Sequence, residues 1–422
     1  MTEDTDNSFS KRGIFKTLGP GILYAGAAIG ASHLVQSTRA GASYGFDLLL
    51  LLILVNLFKY PFFEYGHRFT AATGKSLIEG YRMLGKWAVT VFFVLSFATG
   101  IINFAAIALV TTGLGAHFLN IDVNSIWLNI FVLLSLLLML YIGKYSFLDS
   151  FMKFLIAILS FATIIAFLYA YINGGASHEN FIKPELWDVA GISFLLAFMG
   201  WMPTPIEASA WTSLWTKERE KQTKYKPKFK EYMIDFHIGY FCSTLLAMIF
   251  LGLGALVMFG SGDVFSDSSV KFSAQFVSLY SKQFGSWSIP VISGIAFITI
   301  FTTALTVIDG YPRSLEASFI QIFDKLKKNS SKSYWFWAII LSILASFIIS
   351  MFAERMKLFL DFATIVSFLA APFFAIINYK AVNASFVPKE TQPKLWLKVL
   401  SWLGIIFLIG FGLVFIYARI FL

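Results

Sequence analysis

Charged residues are scarce in this chain of 422 residues. Asp, Glu, Lys and Arg make up 14% of it and hydrophobic residues 57%, whereas about a quarter of a soluble globular domain is charged. The single cysteine, Cys242, excludes a disulfide framework within the chain and a cysteine-based metal site. We expect no cleaved signal peptide, because residues 1–10 are polar and acidic and the first apolar segment is too long. The chain is predicted to be an all-α polytopic membrane protein.

Features of enzymes are also missing. There is no glycine-rich phosphate loop and no nucleophile elbow, and the five histidines are scattered with no paired spacing. We therefore predict that the chain is not an enzyme, has no cofactor and carries no resident metal.

Long apolar runs are what the chain does have. Runs of about 20 residues are long enough to cross a bilayer as helices. Eleven such spans are predicted, at 19–43, 46–66, 87–112, 125–143, 150–172, 189–214, 234–260, 287–309, 333–353, 357–379 and 396–418.

Basic residues cluster in alternate loops and indicate the orientation. One set of loops contains most of the Lys and Arg, whereas 117–125 has none and 174–188 has only Lys183. This asymmetry predicts a cytoplasmic N-terminus and an outside C-terminus in a cell membrane, as in a bacterial inner membrane. The net charge of +9 is therefore explained by the basic loops on one side of the membrane and does not indicate binding to nucleic acid. The dense basic run at 217–230 is typical of a solvated loop; the alternative is binding to anionic lipid.

Two spans are interrupted near their middle. The first contains Gly30-Ala31-Ser32-His33, and the sixth contains Met202-Pro203-Thr204-Pro205, where neither proline has an N–H to donate. Broken helices inside a membrane line cavities, and two matched breaks five spans apart point to an inverted-repeat transporter. The alternative is two independent kinks.

Residues in the first span resemble the Nramp family of divalent-metal transporters. The matching residues are Gly19-Pro20-Gly21 and the run 39–46, Arg-Ala-Gly-Ala-Ser-Tyr-Gly-Phe, which is similar to the family's Gln-Ala-Gly-Ser-Gln-Phe-Gly-Tyr. The resemblance implies a LeuT-type fold, with a 5+5 inverted repeat, an eleventh helix, and discontinuous helices one and six. The implied units are a cytoplasmic tail at 1–18, repeats at 19–173 and 188–380, and a last helix at 395–422.

This chain departs from the family pattern at the residues that bind the substrate in the family. Where the family carries Asp-Pro-Gly-Asn, this chain has Gly30, Ala31, Ser32 and His33; where it carries Met-Pro-His, this chain has Met202, Pro203 and Thr204. The metal-binding Asp and Asn of the family are thus replaced by Gly30 and His33. Mn²⁺ and Fe²⁺ sites favour hard oxygen donors, usually with a carboxylate, and an uncompensated buried ion is very costly.

These seven residues are the predicted substrate site, and they suit an anion better than a metal. Hydroxyls of Ser32 and Thr204, the imidazole of His33 and half-helix N-termini all present donors. The residues alone indicate a small anion or polar solute; a similar branch of Nramp-related proteins implies bicarbonate, carried by secondary active transport. The alternatives are a divalent-metal transporter (Mn²⁺, Mg²⁺ or Fe²⁺) with an altered site, and a sensor that binds without transport.

Four further residues are candidates for coupling or charge compensation. In LeuT-type transporters, paired hydroxyls on span eight form a sodium site, which implies Thr302 and Thr303 here. The alternative for such threonines is a bond to their own backbone. Glu207 is predicted to pair with a cation, accept a proton or join neighbouring helices. Lys59 is either functional or snorkels to the interface.

Overall fold

The computed structural model describes residues 13, 16–121, 126–173, 183–261, 265–323, 330–352 and 355–422. Most of the predicted N-terminal tail lies outside these residues. The described residues form helices and contain no strand, so the predicted all-α class is confirmed.

The helices follow one another along the chain with short connections. They are α1 (Pro20–Ala28), a wide-turn segment (Ile29–Ser37), α2 (Thr38–Tyr44), α3 (Leu49–Thr73), α4 (Leu77–Leu84), α5 (Lys86–Leu119), α6 (Ile126–Asn173), α7 (Val189–Gly200), α8 (Ala208–Thr223), α9 (Phe229–Val257), α10 (Ser269–Phe284), α11 (Ile289–Ile322), α12 (Ser330–Phe352), α13 (Met356–Val382) and α14 (Leu395–Phe421). Short 3₁₀ turns occur at Ser286–Ser288 and Lys389–Thr391.

Nine helical stretches in the described part of the chain are long and apolar enough to cross a membrane. The two remaining predicted spans are the ones with breaks: the first is divided among α1, the wide-turn segment and α2, and the sixth between α7 and α8. The sequence predicts a loop between spans four and five, but α6 is continuous from Ile126 to Asn173 and contains both apolar stretches. The residues between those stretches include no proline, so no helical hydrogen bond is removed there.

The first broken span packs against α9 through glycines. A Cβ on Gly21 would lie 2.0 Å from the carbonyl oxygen of Asp235, and one on Gly239 would lie 2.0 Å from that of Gly21. Asp235 also accepts hydrogen bonds from the backbone of Gly19 (3.0 Å) and Gly21 (2.8 Å). The carboxylate therefore satisfies orphan N–H groups at the start of α1.

The second broken span packs against α13 in the same way. A Cβ on Gly200, the last residue of α7, would lie 1.9 Å from the carbonyl oxygen of Thr364. Small residues allow this close approach of helices, which in a membrane is a main source of helix association. Close packing on α9 and α13 holds the two broken spans against their neighbouring helices.

Candidate functional site at the two helix breaks

The second break is a fully interrupted helix. Helix α7 ends at Gly200, residues 201–207 form a non-helical turn, and α8 begins at Ala208. Pro203 and Pro205 lie in this turn and cannot donate backbone hydrogen bonds. Every residue of the turn is buried, including Met202, Thr204 and Glu207.

The first break is a kink instead of an unwound loop. Gly30 alone has a non-helical conformation, with φ −63° and ψ −114°, and widened turns continue from Ile29 to Ser37. A Cβ on Gly30 would lie 2.2 Å from Oγ1 of Thr303 and 2.5 Å from its Cβ. The chain is therefore kinked where the Thr303 side chain of α11 packs against it. The wider helical turns that follow pair the backbone N–H and C=O groups with each other.

The two breaks meet through Ser32 and the turn after α7. The Ser32 hydroxyl donates to the carbonyl oxygen of Trp201 at 2.6 Å. Beside this bond lies a cavity of about 20 Å³, which has room for roughly one water. The cavity is lined by Ala27, Ser32, Asn103, Ile107, Trp201, Thr204, Pro205, Trp211, Val307 and Tyr311.

The polar groups of this cavity include one free hydrogen-bond donor, because the Ser32 hydroxyl donates to Trp201 and the Asn103 amide to Tyr311. The indole N–H of Trp211 is buried without a hydrogen-bond partner, and an indole nitrogen can only donate. Ser32 and Thr204 contribute hydroxyls, and Asn103 contributes an amide. None of the lining residues named above is acidic, so the cavity offers a free N–H and no negative charge.

A chain of buried hydrogen bonds joins Glu207 to the cavity. Oε1 of Glu207 accepts from Thr99 (2.9 Å) and from the Tyr311 hydroxyl (3.0 Å), and Asn103 donates to that same hydroxyl at 2.6 Å. Ser367 bonds Asn103 at 3.1 Å and accepts from the Trp201 indole at 3.1 Å. Glu207 thus connects α5, α11 and α13 around the second break, while its Oε2 has no partner.

His33 and Met202 do not line the cavity, contrary to the predicted cluster of site residues. Nδ1 of His33 lies 3.2 Å from the Ser32 hydroxyl, and the ring lies near the main chain of Ser243 on α9. Nε2 nevertheless has no hydrogen-bond partner by distance and angle. The wide turns after Gly30 place Ser32 toward the cavity and His33 toward α9, which a sequence pattern alone does not reveal.

Thr302 and Thr303 are buried and differ in their bonds. The Thr303 hydroxyl donates to the carbonyl oxygen of Gly26 on α1 at 2.7 Å, whereas Thr302 donates to Thr299 on its own helix at 2.7 Å. Thr303 therefore joins span eight to the first broken helix. Thr302 makes the backbone bond that the alternative predicts.

Lys59 lies deep in the protein and does not snorkel. It is fully buried, and its ammonium donates to the carbonyl oxygens of Met199 (2.6 Å) and Gly200 (3.0 Å) at the end of α7. The snorkelling alternative is wrong because the half-helix end offers closer partners than the interface.

Several residues of the site are absent from the sequence-based set. They are Trp201, Trp211, Tyr311, Asn103 and Ser367. Two of them could have been recognised in the sequence: Asn103 is a lone amide in an apolar span, and Trp201 adjoins the second break. Trp211, Tyr311 and Ser367 could not, because aromatic and small hydroxyl residues are common in membrane helices.

Comparisons with known proteins agree on one family and one fold. The family model described as "Nramp: Natural resistance-associated macrophage protein-like" matches residues 21–418. An uncharacterized protein of Pasteurella multocida is 37% identical over 406 residues, which are 95% of this chain and 92% of that protein.

Two solved structures show the same arrangement of helices. A mutant of a manganese transporter from Eremococcus coleocola has a TM-score of 0.74 at 14% identity, covering 99% of this chain and 89% of that one. MhsT in complex with L-phenylalanine has a TM-score of 0.63 at 14% identity, covering 97% of this chain and 98% of that one. At these identities the likeness establishes the fold alone.

Proposed function

The chain belongs to the Nramp family of membrane transporters, and from this premise we propose that it transports a small anion, bicarbonate, by alternating access. The predicted family and LeuT-type fold are confirmed. The observation that supports an anion is the cavity between the breaks, which presents the free indole N–H of Trp211 and has no acidic residue in its lining. The Ser32 hydroxyl, which donates to the Trp201 carbonyl in this conformation, can turn to the anion when the breaks separate.

The size of the cavity indicates a closed conformation. About 20 Å³ holds roughly one water, and bicarbonate has four non-hydrogen atoms. The breaks must therefore separate for the substrate to enter. Bicarbonate suits the cavity chemically, because its oxygens accept hydrogen bonds and its O–H donates one, to a partner such as the Trp201 carbonyl.

A metal substrate, as in the manganese transporter with the same fold, finds little support. The position of the family's carboxylate is Gly30, and the space for a side chain there is taken by Thr303. The described residues contain no cluster of three or more His, Cys, Asp or Glu side chains that could hold a metal.

Binding of the anion should depend on Ser32 and Thr204. We expect Ser32→Ala and Thr204→Val each to weaken bicarbonate binding about 10- to 100-fold, since a hydrogen bond to a charged group contributes about 1.5–3 kcal/mol. Thermal stabilisation of the purified protein by bicarbonate, against chloride at equal pH and ionic strength, measures the affinity. Ser135→Ala is the matched control, because Ser135 bonds only the carbonyl of Phe131 on its own helix. Equal affinity in all three variants would reject this site.

Coupling to Na⁺ through α11 is part of the proposal. Carbonyl and hydroxyl oxygens are hard ligands, and Thr303 already bonds the Gly26 carbonyl that an ion would share with it. The double variant Thr302→Ala, Thr303→Ala should therefore lose any Na⁺ dependence of uptake. Thr299→Ala, one turn away on the same helix, should retain it. Na⁺ dependence that survives the double substitution would remove these residues from the coupling site.

The proposed location is a bacterial inner membrane, with the N-terminus cytoplasmic and the C-terminus outside. The clustering of Lys and Arg in alternate loops supports this orientation. A reporter fused after Leu422 that is active only outside the cytoplasm tests the orientation; an inactive reporter in well-expressed protein contradicts it.

A further inference from the structure

Lys59 is a fully buried lysine whose ammonium is bound by the main chain of a broken helix. It lies on α3 and donates to the carbonyl oxygens of Met199 and Gly200, the last two residues of α7. It also lies 5.9 Å from the centroid of the Phe368 ring on α13, a separation at which a cation is attracted to the ring face. The ammonium is therefore held by α7 and α13 together.

The carboxyl end of a half-helix is a natural cation position. The last carbonyls of a helix have no intrahelical partner, and the helix dipole places partial negative charge there. In transporters with broken helices, such ends coordinate the Na⁺ or H⁺. Here the position is taken by a side chain of the protein itself.

A carboxylate adds to the negative character of this position. Glu207, seven residues after Gly200, interacts electrostatically with Lys59, and its Oε2 is buried without a hydrogen-bond partner. The two carbonyl oxygens, with the negative charge of Glu207 nearby, would suit a hard cation. The Lys59 ammonium, a compact point charge with three donors, compensates that set.

We propose that Lys59 is a tethered cation, which occupies the cation position at the end of α7 and makes the adjacent site selective against inorganic cations. The part of the proposal that concerns exclusion of cations depends only on Lys59 and its surroundings. The consequence that the neighbouring cavity is left for an anion rests on the proposed function.

The test is whether removing the ammonium creates a cation site. The variants are Lys59→Met and, as the matched control, Lys394→Met, which changes an exposed lysine at the start of α14. Thermal unfolding of each purified protein is followed in Na⁺, K⁺ or Mn²⁺ chloride, against N-methylglucamine chloride at equal ionic strength. The wild-type protein has the Na⁺ site proposed at Thr303, so the change in its melting temperature with Na⁺ is subtracted from that of each variant.

We expect Lys59→Met to gain a saturable rise in melting temperature with at least one of these cations, and the Lys394→Met control to match the wild type. Adding Glu207→Gln to Lys59→Met should remove most of that gain, because the carboxylate is lost. A monodisperse Lys59→Met protein with the wild-type cation response would overturn the proposal.

A second variant covers the case in which Lys59→Met does not fold. Lys59→Ala removes three carbons and the ammonium of the side chain. Added propylammonium has the same three carbons and ammonium, so it can fill the space left by the substitution. The proposal then requires propylammonium, but not tetramethylammonium, to restore a monodisperse protein; lack of rescue overturns it. None of these measurements uses bicarbonate, so a failure of the anion proposal leaves their outcome independent.

Discussion

Replacing Gly30 with aspartate is expected to abolish transport without creating a manganese transporter. Any Cβ at this position meets Thr303, with its Oγ1 at 2.2 Å, its Cβ at 2.5 Å and its Cγ2 at 2.6 Å. The α1 segment must therefore move, and the new carboxylate is buried at the kink, where an uncompensated charge is costly. Uptake of labelled bicarbonate and of Mn²⁺ into liposomes, with thermal unfolding alongside, measures the effect.

Two further variants separate the clash from the charge. Gly30→Ala introduces only the Cβ and should also impair uptake, whereas Gly410→Ala should not, since nothing lies within 4 Å of a Cβ on Gly410. Adding Thr303→Gly to Gly30→Ala should restore part of the lost stability. Wild-type bicarbonate uptake by Gly30→Asp would show that the kink is not tightly packed against α11.

Replacing Asp361 with asparagine is expected to destabilise the protein and impair transport. Arg39 on α2 makes two hydrogen bonds to this carboxylate, of 2.6 and 2.9 Å, and is only 5% exposed. Removing one partner of a buried ion pair costs about 3–5 kcal/mol. Because the Asp361 side chain is 24% exposed, solvent screening lowers the expected loss to about 2–3 kcal/mol, at or below that range.

The ion pair also ties the first broken span to α13 next to a cavity of about 370 Å³, whose lining includes Arg39, Phe194 and Lys357. Breaking it should therefore change how the helices open as well as how stable they are. Asp267→Asn is the control, because Asp267 pairs with Lys357 at 3.6 Å and its side chain is 61% exposed. Equal melting temperatures for the two variants would contradict the assigned role of Arg39 and Asp361.

The sequence predicted the positions of both breaks because the responsible residues act locally. Two prolines one residue apart end a helix wherever it lies, so the interruption between Gly200 and Ala208 follows from the sequence. Gly30 is likewise the residue that departs from helical torsions. What local pattern could not show is that Thr303 presses on Gly30, since the two are joined only by the packing of α11 on α1.

The orientation of side chains around the breaks was the least predictable part. The resemblance in the sequence implies that His33 and Met202 correspond to metal ligands of the family, yet the cavity is lined by Ser32 and Thr204 with aromatic residues from α8 and α11. The widened turns after Gly30 change which residues face inward. Lys59 was ambiguous for a related reason, because its partners are main-chain carbonyls 140 and 141 positions away, and carbonyls leave no mark on the sequence.

Uptake of labelled bicarbonate by the purified protein in liposomes, with Mn²⁺ uptake in parallel and with and without a Na⁺ gradient, is the decisive measurement for an anion substrate. We expect bicarbonate uptake above that of empty liposomes, no Mn²⁺ uptake, and a dependence on the gradient if Na⁺ is the coupling ion. Binding of bicarbonate without uptake would identify a sensor. Mn²⁺ uptake without bicarbonate uptake would contradict an anion substrate, because it would show that a metal crosses this site without a carboxylate at position 30.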